Sequence, residues 1–102
     1  MTAPRFSIIT VCRNAQALIG ASGLSLRGQT FSDYEWLVVD GASTDATLQV
    51  LAGLAVPAAR VRSEPDQGIY DAMNKAVSLA RGDWIYFLNA GDTFADSSVL
   101  AD

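Results

Sequence analysis

The sequence predicts an α/β protein built on a mostly parallel, four-stranded sheet with helices on both faces. Three observations carry this expectation. Short apolar runs rich in β-branched residues alternate with helical patterns in the order βαβαβαβ. The runs are apolar nearly throughout rather than alternating, as in strands covered on both faces. Each run then ends in a polar or acidic segment, and in open α/β sheets the carboxyl ends of the strands are where ligands bind.

Phe6-Ser7-Ile8-Ile9-Thr10-Val11 reads as the first strand, broken by Cys12-Arg13-Asn14. Ala15 to Arg27 is helix-like, with Leu18, Ile19, Leu24 and Leu26 apolar; Gly20 and Gly23 weaken the pattern and Gly28 suits its end. Tyr34 to Val39 is the second strand, stopped by Asp40-Gly41-Ala42-Ser43. Ser43 is placed to cap a helix over 44–54, with Asp45 in its first turn complementing the helix dipole, and Pro57 closes the segment. Arg60-Val61-Arg62 is a short third strand, and Ser63 to Gly68 a polar loop. A helix over 69–80 follows, apolar at Ala72, Met73, Ala76, Val77 and Ala80, and Gly82 ends it. Trp84 to Leu88 is the fourth strand, stopped by Asn89-Ala90-Gly91-Asp92.

Composition narrows the function classes. The chain has 102 residues, half of them apolar, which is enough for one hydrophobic core. The formal net charge is -4 and the seven basic residues are scattered, so no basic stripe suited to nucleic acid forms. Cys12 is alone, which precludes an internal disulfide and fits a reducing compartment. No histidine occurs, so a metal would sit on carboxylates and water, favouring magnesium or manganese. Residues 1–5 lack the apolar core of a signal peptide. No apolar run approaches the roughly 20 residues that span a bilayer. The expected location is cytoplasmic, at the inner membrane face if a longer protein carries an anchor.

The strand ends deliver Cys12, Arg13 and Asn14, then Asp40 and Ser43, then Glu64 and Asp66, then Asn89 and Asp92, all to one edge of the sheet. Each has a plainer reading. Asp40-Gly41 is a common turn pair. Asp71 and Lys75 are spaced as a surface ion pair as well as a ligand contact. Tyr70 either packs or meets a ligand. Cys12 suits a small buried hydrophobe, and Trp36 and Trp84 suit core or sheet-edge positions. What favours a site is that all four strands behave alike.

Five segments then form a pattern. They are Ser7 to Ala15, Gln29-Thr30-Phe31, Glu35 to Asp45, Asp66 to Ala76, and Gly82 to Asp92. In order and spacing they resemble the N-terminal half of the inverting family 2 glycosyltransferases. That resemblance implies the first half of a GT-A fold, with residues 1–102 forming a partial domain whose acceptor half lies elsewhere. It implies transfer of a sugar from a nucleotide-sugar donor, UDP-sugar first, to an acceptor saccharide or lipid-linked saccharide in polysaccharide or glycoconjugate synthesis. It places Thr10, Val11 and Arg13 at the base and ribose. It sets Asp40 by the base or ribose, and Asp66, Tyr70 and Asp71 by the ribose and sugar-phosphate. Asp92 falls at the metal motif, where it would hold a divalent cation, manganese or magnesium, against the phosphates.

Two positions depart from the family pattern: Gly91 stands where an aspartate is common, and Arg13 where an aromatic residue is common. The general base that deprotonates the acceptor belongs to the family's other half. The resemblance therefore puts it beyond Asp102, and no catalytic residue is assigned among residues 1–102. The exposed flank of a half-domain would favour homo-oligomers. The competing readings are a nucleotide-binding module without transfer activity and a receiver-type signalling domain. The latter is disfavoured by Cys-Arg-Asn after the first strand, where receivers carry an acidic pair, and by the lack of a fifth strand.

Overall fold

The computed structural model describes residues 4–30, 33–54, 56, 59–65 and 67–91. The elements run β1 (Phe6–Cys12), α1 (Ile19–Arg27), β2 (Tyr34–Asp40), α2 (Thr47–Leu54), β3 (Ala59–Ser63), α3 (Ile69–Leu79) and β4 (Trp84–Phe87). The four strands form one sheet in the order β3-β2-β1-β4, and every pairing is parallel.

Alternation along the central strands divides the core. Ile8, Trp36 and Val38 point to one face, where they meet Ile19 and Leu26 of α1 and Leu51 and Leu54 of α2. Ile9, Leu37 and Val39 point to the other, where Ala72 and Ala76 of α3 lie on them. Helices thus cover both faces. The glycine inside α1 has a packing cause. A Cβ at Gly23 would overlap the Leu54 side chain and stand 3.2 Å from the Trp36 ring, so only hydrogen fits between α1, α2 and the sheet.

Strand order sets where a site forms. From β1 the chain moves outward to β2 and β3, then crosses back to place β4 on the other side of β1. The order reverses at β1, and the two loops that diverge there open a crevice beyond its carboxyl end. Cys12 to Asn14 and Asn89 to Gly91 border that point.

Two helix starts differ from expectation. α1 begins at Ile19, not Ala15. The Leu18 and Ile19 N–H groups both donate to Ala15 O at 2.9 Å, while the Ala15 and Gln16 N–H groups leave for side chains of the β2–α2 loop. α2 begins at Thr47, not Thr44, and Ser43 is not its cap. Asp45 takes that role, accepting from the Thr47 N–H at 3.0 Å and the Thr47 hydroxyl at 2.5 Å. Elsewhere the ends agree within a residue or two. Among the described residues, no helix is long and apolar enough to cross a membrane.

Candidate functional site at the carboxyl edge of the sheet

Asp40 is the centre of this edge. It is the last residue of β2 and is 0% exposed. Its Oδ2 accepts from the Ser43 N–H at 2.8 Å and from the Ser63 hydroxyl at 2.8 Å. Its Oδ1 accepts from the Ser43 hydroxyl and, at 3.5 Å, from the Cys12 thiol. The ends of β1, β2 and β3 thus converge on one carboxylate. Burial alone would push its pKa up, but these hydrogen bonds outweigh burial and hold it below its ordinary value. Cys12 answers in the opposite sense. Burial first, then the charge and hydrogen bond of Asp40 and the charge of Asp45, push its thiol up to about 12. It is half-buried rather than a fully enclosed hydrophobe, and it is a poor nucleophile.

Around Asp40 the β1–α1 and β2–α2 loops are stitched together. The Asn14 N–H donates to the Ser43 hydroxyl oxygen, and Asn14 Oδ1 accepts from the Thr44 N–H, both at 2.8 Å. The Ala15 N–H donates to Thr47 Oγ1 at 2.9 Å, the Gln16 N–H to Asp45 at 3.2 Å, and the Ala46 N–H to Gln16 Oε1 at 3.1 Å. Asn14 (φ 51°) and Ala42 (φ 56°) take the left-handed conformation at the two turns, which asparagine tolerates better than most residues. Ser43, one of the polar groups the strand ends deliver, and Asp45, expected to complement the dipole of α2, therefore both serve this loop-to-loop seam.

The remaining predicted residues fall in two groups. Thr10 is fully buried. Its hydroxyl donates to Leu88 O at 2.5 Å and accepts from Trp36 Nε1 at 2.9 Å, tying β2, β1 and the end of β4 together. Val11 is half-buried on the α3 face. Arg13 is exposed at the crevice. Tyr70 is 79% exposed and does not pack. Asp71 accepts from the Gln67 N–H at 2.9 Å and pairs with Lys75 at 3.3 Å, and Lys75 also reaches Glu64 at 3.4 Å and Pro65 O at 3.2 Å. This exposed network holds the β3–α3 loop against α3, and its charges are screened by water. Asp66 and Asp92 lie outside the described residues. So does Asp102, the residue beyond which the general base is expected, and the description ends at Gly91.

The roles of Ser63, Ser22 and Asn14 were not foreseen. Ser22, inside α1, donates to Asn89 O at 3.1 Å and accepts from the Gly91 N–H at 2.9 Å, which fixes the turn after β4 over α1. Only the Asp40-x-x-Ser43 spacing carried a local signal, that of an Asx-type turn. The turn also explains why glycine stands at 91. Its φ is 95°, where side chains are disfavoured, although the nearest atoms, of Leu18, would leave 3.5 Å for a Cβ. Among the described residues, no group of three or more acidic or thiol side chains is arranged to hold a metal ion. Asp92, the residue expected at the metal motif, lies outside the described residues.

The family model for Glycosyl transferase family 2 matches residues 7–101. The chain belongs to glycosyl transferase family 2. A PGL/p-HBAD biosynthesis glycosyltransferase of Mycobacterium tuberculosis is 43% identical over 105 residues, covering 99% of this chain and 41% of the relative. The chain thus spans about two fifths of the length of such relatives. Among solved structures, residues 1–349 of S. aureus TarS in complex with UDP-GlcNAc match with a TM-score of 0.89 at 28% identity, over 96% of this chain and 29% of that one. The mannosyltransferase PcManGT of Pyrobaculum calidifontis, in complex with GDP-Man and Mn2+, matches with a TM-score of 0.88 at 26% identity, over 99% and 31%. The family's GT-A fold accounts for the Rossmann-like sheet and for the crevice at the switch in strand order.

Proposed function

We propose that this chain is the nucleotide-sugar-binding part of an inverting family 2 sugar transferase, with residues 1–102 forming the donor half of a GT-A domain. The observation that carries the reading is the convergence at the switch point. Three strand ends meet on the buried Asp40, two interlocked loops surround it, and exposed Arg13 and Tyr70 lie on the loop and helix that follow β1 and β3. The structural neighbours TarS and PcManGT, each matched over nearly all of this chain, are solved in complex with UDP-GlcNAc and with GDP-Man and Mn2+, which supports the reading.

In this reading the nucleoside lies against Val11 and Arg13, with Thr10 holding the strand from below. Asp40 accepts a hydrogen bond from a base N–H or a ribose hydroxyl. Arg13, planar and always charged, stacks on the base or pairs with a phosphate. Tyr70, Asp71 and Asp66 line the ribose and sugar-phosphate side. Asp92 binds a divalent cation together with the donor's phosphates. When bound, that cation neutralises charge on the departing nucleoside diphosphate. UDP-sugar is the first choice of donor, and a saccharide or lipid-linked saccharide is the acceptor. The carboxylate that deprotonates the acceptor is assigned to the acceptor half, beyond Asp102, and not to this chain.

Calorimetry with UDP and GDP tests the reading. Weak binding that improves with manganese is expected, and Asp92→Ala is expected to remove the manganese dependence. Absence of binding to both nucleotides, with and without metal, would overturn it.

A further inference from the structure

The donors on Asp40 are unequal, and the inequality has a consequence for how a ligand reaches it. A carboxylate offers about four acceptor positions. At Asp40 these are taken by the Ser43 N–H, the Ser43 hydroxyl, the Ser63 hydroxyl and the Cys12 thiol. A ligand donor therefore gains Asp40 only by displacing one of them. The Ser43 N–H is fixed by the loop conformation. The Ser43 hydroxyl oxygen is also engaged by the Asn14 N–H at 2.8 Å, so moving it unpicks the seam between the loops. The Cys12 thiol lies on the β1 side, partly buried. Ser63 differs from all of these. It is the last residue of β3, it is exposed, and its hydroxyl turns on a single bond into water. It is the most exposed of the three residues that donate to Asp40, and only its own side chain has to turn.

Resting on the donor-site reading above, we propose that Ser63 gates access to Asp40: its hydroxyl holds Oδ2 of Asp40, and the N–H or hydroxyl donor of a nucleoside takes that oxygen by turning Ser63 aside. The gate gives selectivity. A ligand that brings a donor replaces the bond it breaks. A ligand that presents only an acceptor leaves a buried carboxylate facing a lone pair, which is strongly disfavoured. Ser63 thus acts as a specificity-determining residue by competing for Asp40, not by holding the ligand.

The test compares the wild-type chain with Ser63→Ala and Ser63→Thr, titrating UDP in the presence of manganese by calorimetry. The Asp40 carboxyl titration is followed separately by carbon NMR without nucleotide. Ser63→Ala, which removes the competing hydroxyl, is expected to bind UDP tighter by about tenfold or more, the low end for a hydrogen bond to a charged acceptor. Ser63→Thr, which keeps the hydroxyl, is expected to bind as the wild type does. The Asp40 titration is expected to move upward in Ser63→Ala, because a donor to the charged form is gone. Equal or weaker binding of UDP to Ser63→Ala overturns the gate while leaving the donor site standing. A wild-type chain that binds no UDP overturns the donor-site reading and the gate with it. An Asp40 titration that does not move in Ser63→Ala removes the contact on which the gate depends.

Discussion

Two carboxylates on β2 are buried in opposite ways. Glu35, near the amino end, lies on the α3 face and meets a cation, with Arg60 Nη1 at 2.7 Å. The Ser7 hydroxyl and the Arg81 N–H also donate to it, each at 2.6 Å. Asp40, at the carboxyl end and on the other face, has only neutral donors. Both have lowered pKa values, since their hydrogen bonds outweigh the burial that would raise them. Charge sets them apart. At the amino end it is cancelled, and the arrangement does one thing: it staples the end of α3 and the entry to β4 onto the sheet. Arg60 also donates to Leu79 O at 3.3 Å, and the Gly82 N–H donates to the Ser7 hydroxyl at 2.8 Å. At the carboxyl end a negative charge is kept in place with no cation paired to it among the described residues. Glu35 is neutralised by its own fold, whereas Asp40 is only oriented by it, as the ligand contact proposed for Asp40 would need.

The largest effect expected from this difference is chemical. Burial first, and then Asp40's uncompensated charge and hydrogen bond, push the Cys12 thiol from 9.0 to about 12. At pH 8 its thiolate fraction is on the order of a thousandfold below that of an ordinary thiol, and alkylation by iodoacetamide should slow to match. The sign for stability follows. A raised pKa in the fold contributes stability that is present below 9.0 and is lost as pH rises toward 12. Alkylation in native buffer as fast as in urea would mean that neither burial nor the Asp40 charge acts on the thiol, and the contrast with Glu35 would lose this support.

Next in size is Glu35→Ala. It strands Arg60, the Ser7 hydroxyl and the Arg81 N–H together and should cost about 3 kcal/mol in urea unfolding, the low end for a broken buried pair because Arg60 keeps some access to water. UDP binding by the folded fraction should be unchanged, since Glu35 is at the far end of the sheet. The acid dependence has its own sign. Both carboxylates titrate lower in the fold than unfolded, so each contributes stability that is present above its ordinary value, 4.5 for Glu35 and 3.8 for Asp40, and is lost as pH falls through the folded value. In Glu35→Gln the decline in melting temperature with acid should begin lower, with the parts of Asp40, Asp45 and Asp71 remaining. An identical acid profile would show that the amino-end pair carries no such linkage.

Strand order aside, most of the architecture was legible in the sequence because buried parallel strands and amphipathic helices write themselves in apolar periodicity. Trp36-Leu37-Val38-Val39 and the Ala72, Ala76 pair lie where that periodicity puts them. Trp84 was legible only as core or edge. It is 62% exposed on β4, the strand at the open side of the sheet, a choice that depends on strand order and not on local pattern. The seam between the loops was not legible. Ser43 has the residue type and position of a helix cap, and nothing local says that Asn14, on another loop, will engage it. Ser63 was invisible for the same reason, since its partner lies on the neighbouring strand.

The smallest effect probes that seam, where neutral hydrogen bonds do at the carboxyl end what Arg60 does at the amino end. Asn14 contributes in two separable ways. Its backbone takes φ 51°, and its side-chain oxygen accepts from the Thr44 N–H. Asn14→Gly keeps the turn and loses the bond, so it should cost about 1 kcal/mol. Asn14→Ala loses both, and the left-handed backbone adds roughly 1 kcal/mol more. The order glycine above alanine is the diagnostic, read by urea unfolding and by the exchange rate of the Thr44 amide, which should rise in both variants. Equal costs for the two would assign the whole contribution to the side-chain bond. No cost in either would mean that the loops hold together without the Asn14 side chain, through the Asn14 N–H on Ser43 and the other seam bonds.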